Sequence, residues 1–268
     1  MQVGLSTASF YPLIYNEQAV EEIGRLGIRD CEIFLSTYSE YTKEFGEELY
    51  RRVRHWGLRV HNVHTLSTQF EPQLFARVPR QRADALGFFR RVLAIGQRLG
   101  AENYVFHGPA NLKRTPVIHY NYPFLGERIG ELCDVAAGYG MAVAWENVHW
   151  CQFCRPEFAA RILEVCDHPN LRFTLDIKQA MQAGCDPLQF IPAMGKRLNN
   201  VHLCDFESDG ALRLPGEGGF DFGCLKAALD GAGYKGPLLV EVYASNYQDY
   251  AQLGRSVQRM REIFCPGD

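Results

Sequence analysis

Eight times along its 268 residues the chain passes from a short β-prone apolar run to an amphipathic helical stretch, with no linker or low-complexity tract between them. Repeated strand–helix units with short connections imply one parallel sheet covered by helices. Eight of them imply closure into a barrel, so the expected architecture is an α/β fold, a (β/α)8 TIM barrel, as a single domain over residues 1–268. An open doubly wound sheet usually carries a glycine-rich turn after its first strand. Here that turn reads STASFYP, without glycine. The first four strands are expected at 3–8, 29–35, 58–66 and 102–110. Asn16 reads as the cap of the first helix, and helices follow over 42–56, 80–99, 120–138, from Pro156 to about 167, 221–232 and 247–263. The stretch STQFEPQLFARVP, with Pro72 and Pro79, reads as an irregular loop.

Within this alternation, MAVAWENVHW (141–150) ends an apolar run in Glu146. LRFTLDIKQ ends one in Asp176, NNVHLCD carries His202 late in its run, and GPLLVEVY places Glu241 inside another. An ionisable group beside a buried strand is costly unless something pairs with it. These four lie 30, 26 and 39 residues apart, about one strand–helix unit each, so they arrive in phase at successive strand ends. In a barrel those ends carry the chemistry. Three carboxylates and one imidazole suit one divalent ion, Mn²⁺, Mg²⁺, Co²⁺ or Zn²⁺, without selecting sharply among them. Glu32 and Glu40 near the second strand, His64 after the third and His107 after the fourth fall at the same end.

Bulk properties narrow the partners. A net charge of −3 gives no overall pull toward nucleic acid or anionic membrane. The N-terminus has no basic leader, and no apolar run approaches ~18 residues. Nine cysteines, an odd number scattered through apolar segments, suit a reducing cytoplasm better than a disulfide framework. Cytoplasmic location is therefore the expectation, with no membrane or nucleic-acid partner. A homo-oligomer remains an open option.

WENV, LDIKQA, VHLCD followed by RLPGEGGFD, and VEVY resemble the xylose isomerase-like barrels, a group that contains sugar isomerases and epimerases and also the endonuclease IV enzymes. The motifs are short; their order and spacing over the whole chain supply the specificity. In the ketose 3-epimerase branch the resemblance implies that Glu146, Asp176, His202 and Glu241 hold one divalent ion. It also implies that Glu146 and Glu241 exchange a proton with the carbon of a small-molecule sugar, and that Arg213 helps bind it. His64 and His107 match positions that hold a second metal in the endonuclease branch and line the sugar pocket in single-metal members. The endonuclease pattern has a histidine where Gln179 stands and an Asp-x-His pair where Gly216-Glu217-Gly218 stands, which argues against DNA repair.

The expected activity is thus a metal-dependent isomerase or epimerase working through an enediolate. An inosose dehydratase-like lyase and a non-catalytic carbohydrate-binding barrel are the alternatives. Lys178, two residues past Asp176, either meets a substrate carboxylate or enediolate oxygen or reaches solvent; with Glu217 it joins His64, His107 and Arg213 as the substrate-binding set. Phe10, Tyr11, Phe34 and Tyr243 supply apolar walls. Cys151-x-x-Cys154 lacks a second pair to complete a zinc site and reads as two reduced thiols. His61, His119 and His168 read as surface or packing residues, and His149 as a weaker candidate for substrate contact.

Overall fold

In the computed structural model, which describes residues 1–111 and 120–266, eight parallel strands close into a barrel. They are β1 (Gln2–Ser6), β2 (Asp30–Leu35), β3 (Arg59–Thr65), β4 (Asn103–Phe106), β5 (Ala142–Glu146), β6 (Leu171–Asp176), β7 (Leu198–Leu203) and β8 (Pro237–Val240). Each pairs with its neighbours in sequence, and β1 closes the ring on β8 through Gln2↔Pro237 to Leu5↔Val240. The register sets the site. Phe34 lies beside His64, and Asp176 beside His202, so groups remote in sequence reach the rim at matching heights.

Strand residues facing outward, such as Val143 and Trp145 on β5, pack against the helical ring and are fully buried. The inward positions nearer the floor carry a polar layer. Asn103 Nδ2 donates to Asn62 Oδ1 (2.9 Å), and Asn62 Nδ2 donates to Glu32 Oε2 (2.9 Å). The helix Pro79–Leu99 starts on the proline, whose missing N–H costs nothing in a first turn, and ends on Gly100 at φ 79°, where a side chain would be strained. No helix among the described residues is long and apolar enough to cross a membrane.

Local expectations fail in two places. Asn16 is inside its helix (Asn16–Arg25), not its cap; its Nδ2 donates to Phe34 O (2.6 Å), tying the helix to the rim of β2. Tyr15 N instead finds the Gln18 side chain (3.0 Å). The supposedly irregular stretch after β3 holds helical turns at Ser67–Gln69 and Glu71–Leu74; Pro72 falls in the first turn of the second, where a missing N–H costs nothing, and Glu71 is fully buried. Glu241 stands at its strand end as expected, one residue beyond β8, where its N–H donates to Leu203 O (3.0 Å). His119 lies outside the described residues.

After β7 a two-residue ribbon pairs Asp205–Phe206 with Leu212–Arg213, and the glycine-rich loop folds back over it. The buried Asp205 carboxylate accepts from the N–H groups of Phe206, Gly216, Gly218 and Phe220 at 2.8–3.0 Å. A Cβ at position 218 would lie 2.5 Å from Asp205 Oδ1, so glycine there answers to close approach.

Candidate active site

Glu146, Asp176, His202 and Glu241 are all buried, and one ligand atom from each lies within 4.8 Å of the others. His202 Nδ1 is the hub: Glu146 Oε1 is 3.1 Å away, Asp176 Oδ2 3.6 Å and Glu241 Oε2 3.6 Å. The strand ends lock one another in place. Asn147, next to Glu146, accepts from Asp176 N (2.8 Å) and donates to Asp176 O (2.9 Å). Asp176 in turn caps the helix Ile177–Gln182, with Oδ1 accepting from Gln179 N (2.7 Å).

Three buried oxygens in this group, Glu146 Oε2, Asp176 Oδ2 and Glu241 Oε2, have no hydrogen-bond partner among the described residues. Glu146 Oε2 is 3.2 Å from His107 Nε2 and Asp176 Oδ2 is 3.3 Å from Lys178 Nζ, contacts close enough for ion pairing but not aligned as hydrogen bonds. One free oxygen from each of three carboxylates, beside an imidazole nitrogen, is a donor set that fits a divalent cation.

Behind this group stands Glu32, which sequence reasoning placed near the site but gave no role. It is fully buried and accepts from Ser6 Oγ (3.2 Å), Asn62 Nδ2 (2.9 Å), His64 Nδ1 (3.2 Å) and His202 Nε2 (3.1 Å). Burial opposes its ionisation, but the two histidines outweigh that and hold it well below the usual carboxylate range. Glu71 was missed altogether. Its carboxylate accepts from the Tyr104 hydroxyl (2.7 Å), His107 N (3.0 Å), Gly108 N (3.2 Å) and His107 Nδ1 (3.3 Å). A charged residue inside an apparently loose, proline-flanked loop was the available signal.

The histidine chain runs between these two carboxylates. His107 Nε2 and His64 Nε2 are 3.0 Å apart, which requires a proton on one and a lone pair on the other. Burial works against a charged His107, yet Glu71 outweighs it and raises the imidazole to about 9. Burial likewise raises Glu146. Asp176 is held at about 2 because Lys178 and His202 overcome its burial.

Lys178 is buried, not solvated, with Nζ 3.3 Å from Glu241 Oε1 and 5.0 Å from the Tyr243 ring. Phe34 packs on His64 at 4.9 Å and Tyr11 on Phe34 at 5.5 Å, while Phe10 is fully buried against Tyr250. Other candidates turn elsewhere. Arg213 is exposed and reaches Glu207 (3.4 Å), and Glu217 reaches Arg259 (3.4 Å). His149 is exposed and bonds Gln179 (2.6 Å); His61 pairs with Asp30 (2.7 Å) and His168 with Asp134 (3.1 Å). Cys151 and Cys154 are buried free thiols, and burial raises both.

A family model described as the xylose isomerase-like TIM barrel matches residues 19–263. The chain belongs to that family. This xylose isomerase-like barrel is 25% identical over 270 residues to an uncharacterized protein of Mycobacterium leprae, a match covering 92% of this chain and 90% of that one. It is 22% identical over 269 residues to an inosose dehydratase of Clostridium botulinum, covering 89% and 87% of the two chains. Among solved structures, D-psicose 3-epimerase from Clostridium cellulolyticum H10 superposes with a TM-score of 0.78 at 19% identity, covering 98% and 99%. The IolI protein with a bound zinc atom superposes with a TM-score of 0.80 at 18% identity, covering 98% of each chain. At such identities the structural likeness is one of fold.

Proposed function

We propose that the protein is a divalent-metal-dependent isomerase or epimerase acting on a sugar or sugar-like ketose, with Glu146, Asp176, His202 and Glu241 holding the ion. The observation that carries this reading is the trio of buried carboxylate oxygens without hydrogen bonds beside His202 Nδ1. Likeness to a ketose 3-epimerase and to a barrel with bound zinc supports it. A divalent ion in this site would polarise a ketose carbonyl and make the neighbouring C–H acidic. The chain's own residues do the rest. Glu241, from the end of β8, and Glu146, from the end of β5, stand in different sectors of the rim; one takes the proton from carbon and the other returns it on the opposite face of the enediolate. His64 and His107 orient substrate hydroxyls, and the Phe34 and Tyr11 rings packed beside His64 supply an apolar wall.

A specific arrangement favours a second reading, a lyase. The inosose dehydratase likeness supports it, and His107, braced by Glu71 and 3.2 Å from Glu146, is placed to protonate a departing hydroxyl. The test is deuterium incorporation from solvent next to the carbonyl, across a panel of ketoses and inososes with Mn²⁺ supplied. Glu146→Gln and Glu241→Gln should each lose exchange by about 10²–10⁴-fold while keeping the fold. Exchange with inversion identifies an epimerase, and loss of water identifies a lyase. Absence of exchange in wild type with every sugar it binds would leave a binding barrel.

A further inference from the structure

A buried lysine is a costly neighbour for a cation site, and here two carboxylates and the face of the Tyr243 ring surround its ammonium group. Lys178 is 2% exposed, and its Nζ lies 3.3 Å from Asp176 Oδ2 and 3.3 Å from Glu241 Oε1. Desolvating an ammonium group is expensive unless opposite charge compensates. The residue also sits in the first turn of the short helix that Asp176 caps, where the backbone N–H groups favour anions over cations. Both penalties are accepted to bring the ammonium back over the strand ends.

The two carboxylates it meets are half of the proposed ligand set, and it does not meet them in the same way. Toward Glu241 it donates a hydrogen bond to Oε1, leaving Oε2 free. Toward Asp176 it approaches Oδ2, the oxygen left over once Oδ1 has capped the helix. Asp176 therefore has a single oxygen to offer, and Lys178 already stands beside it. Charge adds a second argument. A divalent ion leaves one negative charge uncompensated among the Glu146, Asp176 and Glu241 carboxylates, and one ammonium removes it.

We propose that Lys178 is a resident counter-cation of the site, sharing Asp176 and Glu241 with the divalent ion and setting how tightly that ion is held, rather than a residue that binds substrate. The proposal rests on the reading of this site as a metal centre. Without metal, the ammonium group keeps Asp176 and Glu241 from repelling each other and preserves the rim. With metal, two cations draw on the same two carboxylates, and on one and the same oxygen at Asp176, so affinity is lower than the four-ligand set alone would give and the ion stays exchangeable.

Calorimetric titration of chelator-stripped protein with Mn²⁺ tests this, using wild type, Lys178→Met and Lys178→Gln, with thermal melts of each before and after addition. Both neutral variants should bind Mn²⁺ about tenfold tighter or more, because the competing charge is gone. Metal-free, they should melt below wild type, and Mn²⁺ should restore them; a variant that folds only when Mn²⁺ is present supports the proposal equally. Unchanged or weaker affinity in both variants overturns the proposal, and a raised KM alone would return Lys178 to the substrate. Loss of binding in wild type and variants alike would remove the metal centre and this inference with it. Binding by the variants but not by wild type would uphold the competition and overturn metal dependence in the natural protein.

Discussion

Glu32 and His202 meet inside the barrel, His202 Nε2 donating to Glu32 Oε2 at 3.1 Å, from strands β2 and β7. With Nε2 committed to this carboxylate, His202 presents Nδ1 to Glu146, Asp176 and Glu241. A carboxylate behind a ligating imidazole fixes its orientation and strengthens it as a donor. Glu32→Gln should therefore weaken Mn²⁺ binding by about 10–100-fold without loss of fold. A calorimetric Kd within twofold of wild type would show that Glu32 does not position His202.

Glu71 braces the other side of the rim. Replacing it by alanine would strand the Tyr104 hydroxyl, two backbone N–H groups and His107 Nδ1 in a buried setting. Glu71→Ala should cost about 3 kcal/mol or more in urea unfolding. A loss below about 1 kcal/mol would mean that these groups find other partners.

The loop over the β7 ribbon depends on the approach of Gly218 to Asp205. Gly218→Ala places a Cβ 2.5 Å from Asp205 Oδ1 and 2.8 Å from Phe206 O, and neither neighbour is free to retreat. The substitution should cost about 1–3 kcal/mol and open residues 216–220 to limited proteolysis. Wild-type resistance in the variant would show that the loop has room to adjust.

Cys151 and Cys154 are buried thiols outside the carboxylate–imidazole group. Metal analysis of the Cys151→Ser, Cys154→Ser double variant should match wild type, while His202→Ala should lose most of its metal. A folded double variant lacking one equivalent would place a metal at the cysteines.

Gln179 gives its side chain to His149, whose backbone N–H and Nδ1 it engages at 3.2 and 2.6 Å. A histidine ligand at that position is what the endonuclease branch would require. Homogeneous protein should leave an abasic DNA duplex intact with zinc supplied, as read on a denaturing gel, and zinc-dependent nicking would contradict the assignment.

The barrel was legible in the chain because its cause is local. Each apolar run, glycine stop and amphipathic stretch is decided within about one turn or strand of itself, and eight in succession leave a closed parallel sheet as the economical arrangement. Glu146, Asp176, His202 and Glu241 were legible for a related reason: strand ends in a parallel barrel all point to one rim, so phase along the sequence becomes proximity in space. Partnership was a different matter. Glu32 takes its hydrogen bonds from residues 32 and 170 positions away, and which histidines it meets depends on barrel closure and register. Glu71 looked like a loop residue because Pro72 and Pro79 make its stretch read as irregular; its value to the fold lies in Tyr104 and His107 on a neighbouring strand and its end. Arg213 and Glu217 carried the right chemistry, but in the folded loop Glu207 and Arg259 are their nearest opposite charges. Charges choose partners by distance after the chain has closed, and only the tertiary structure sets that distance.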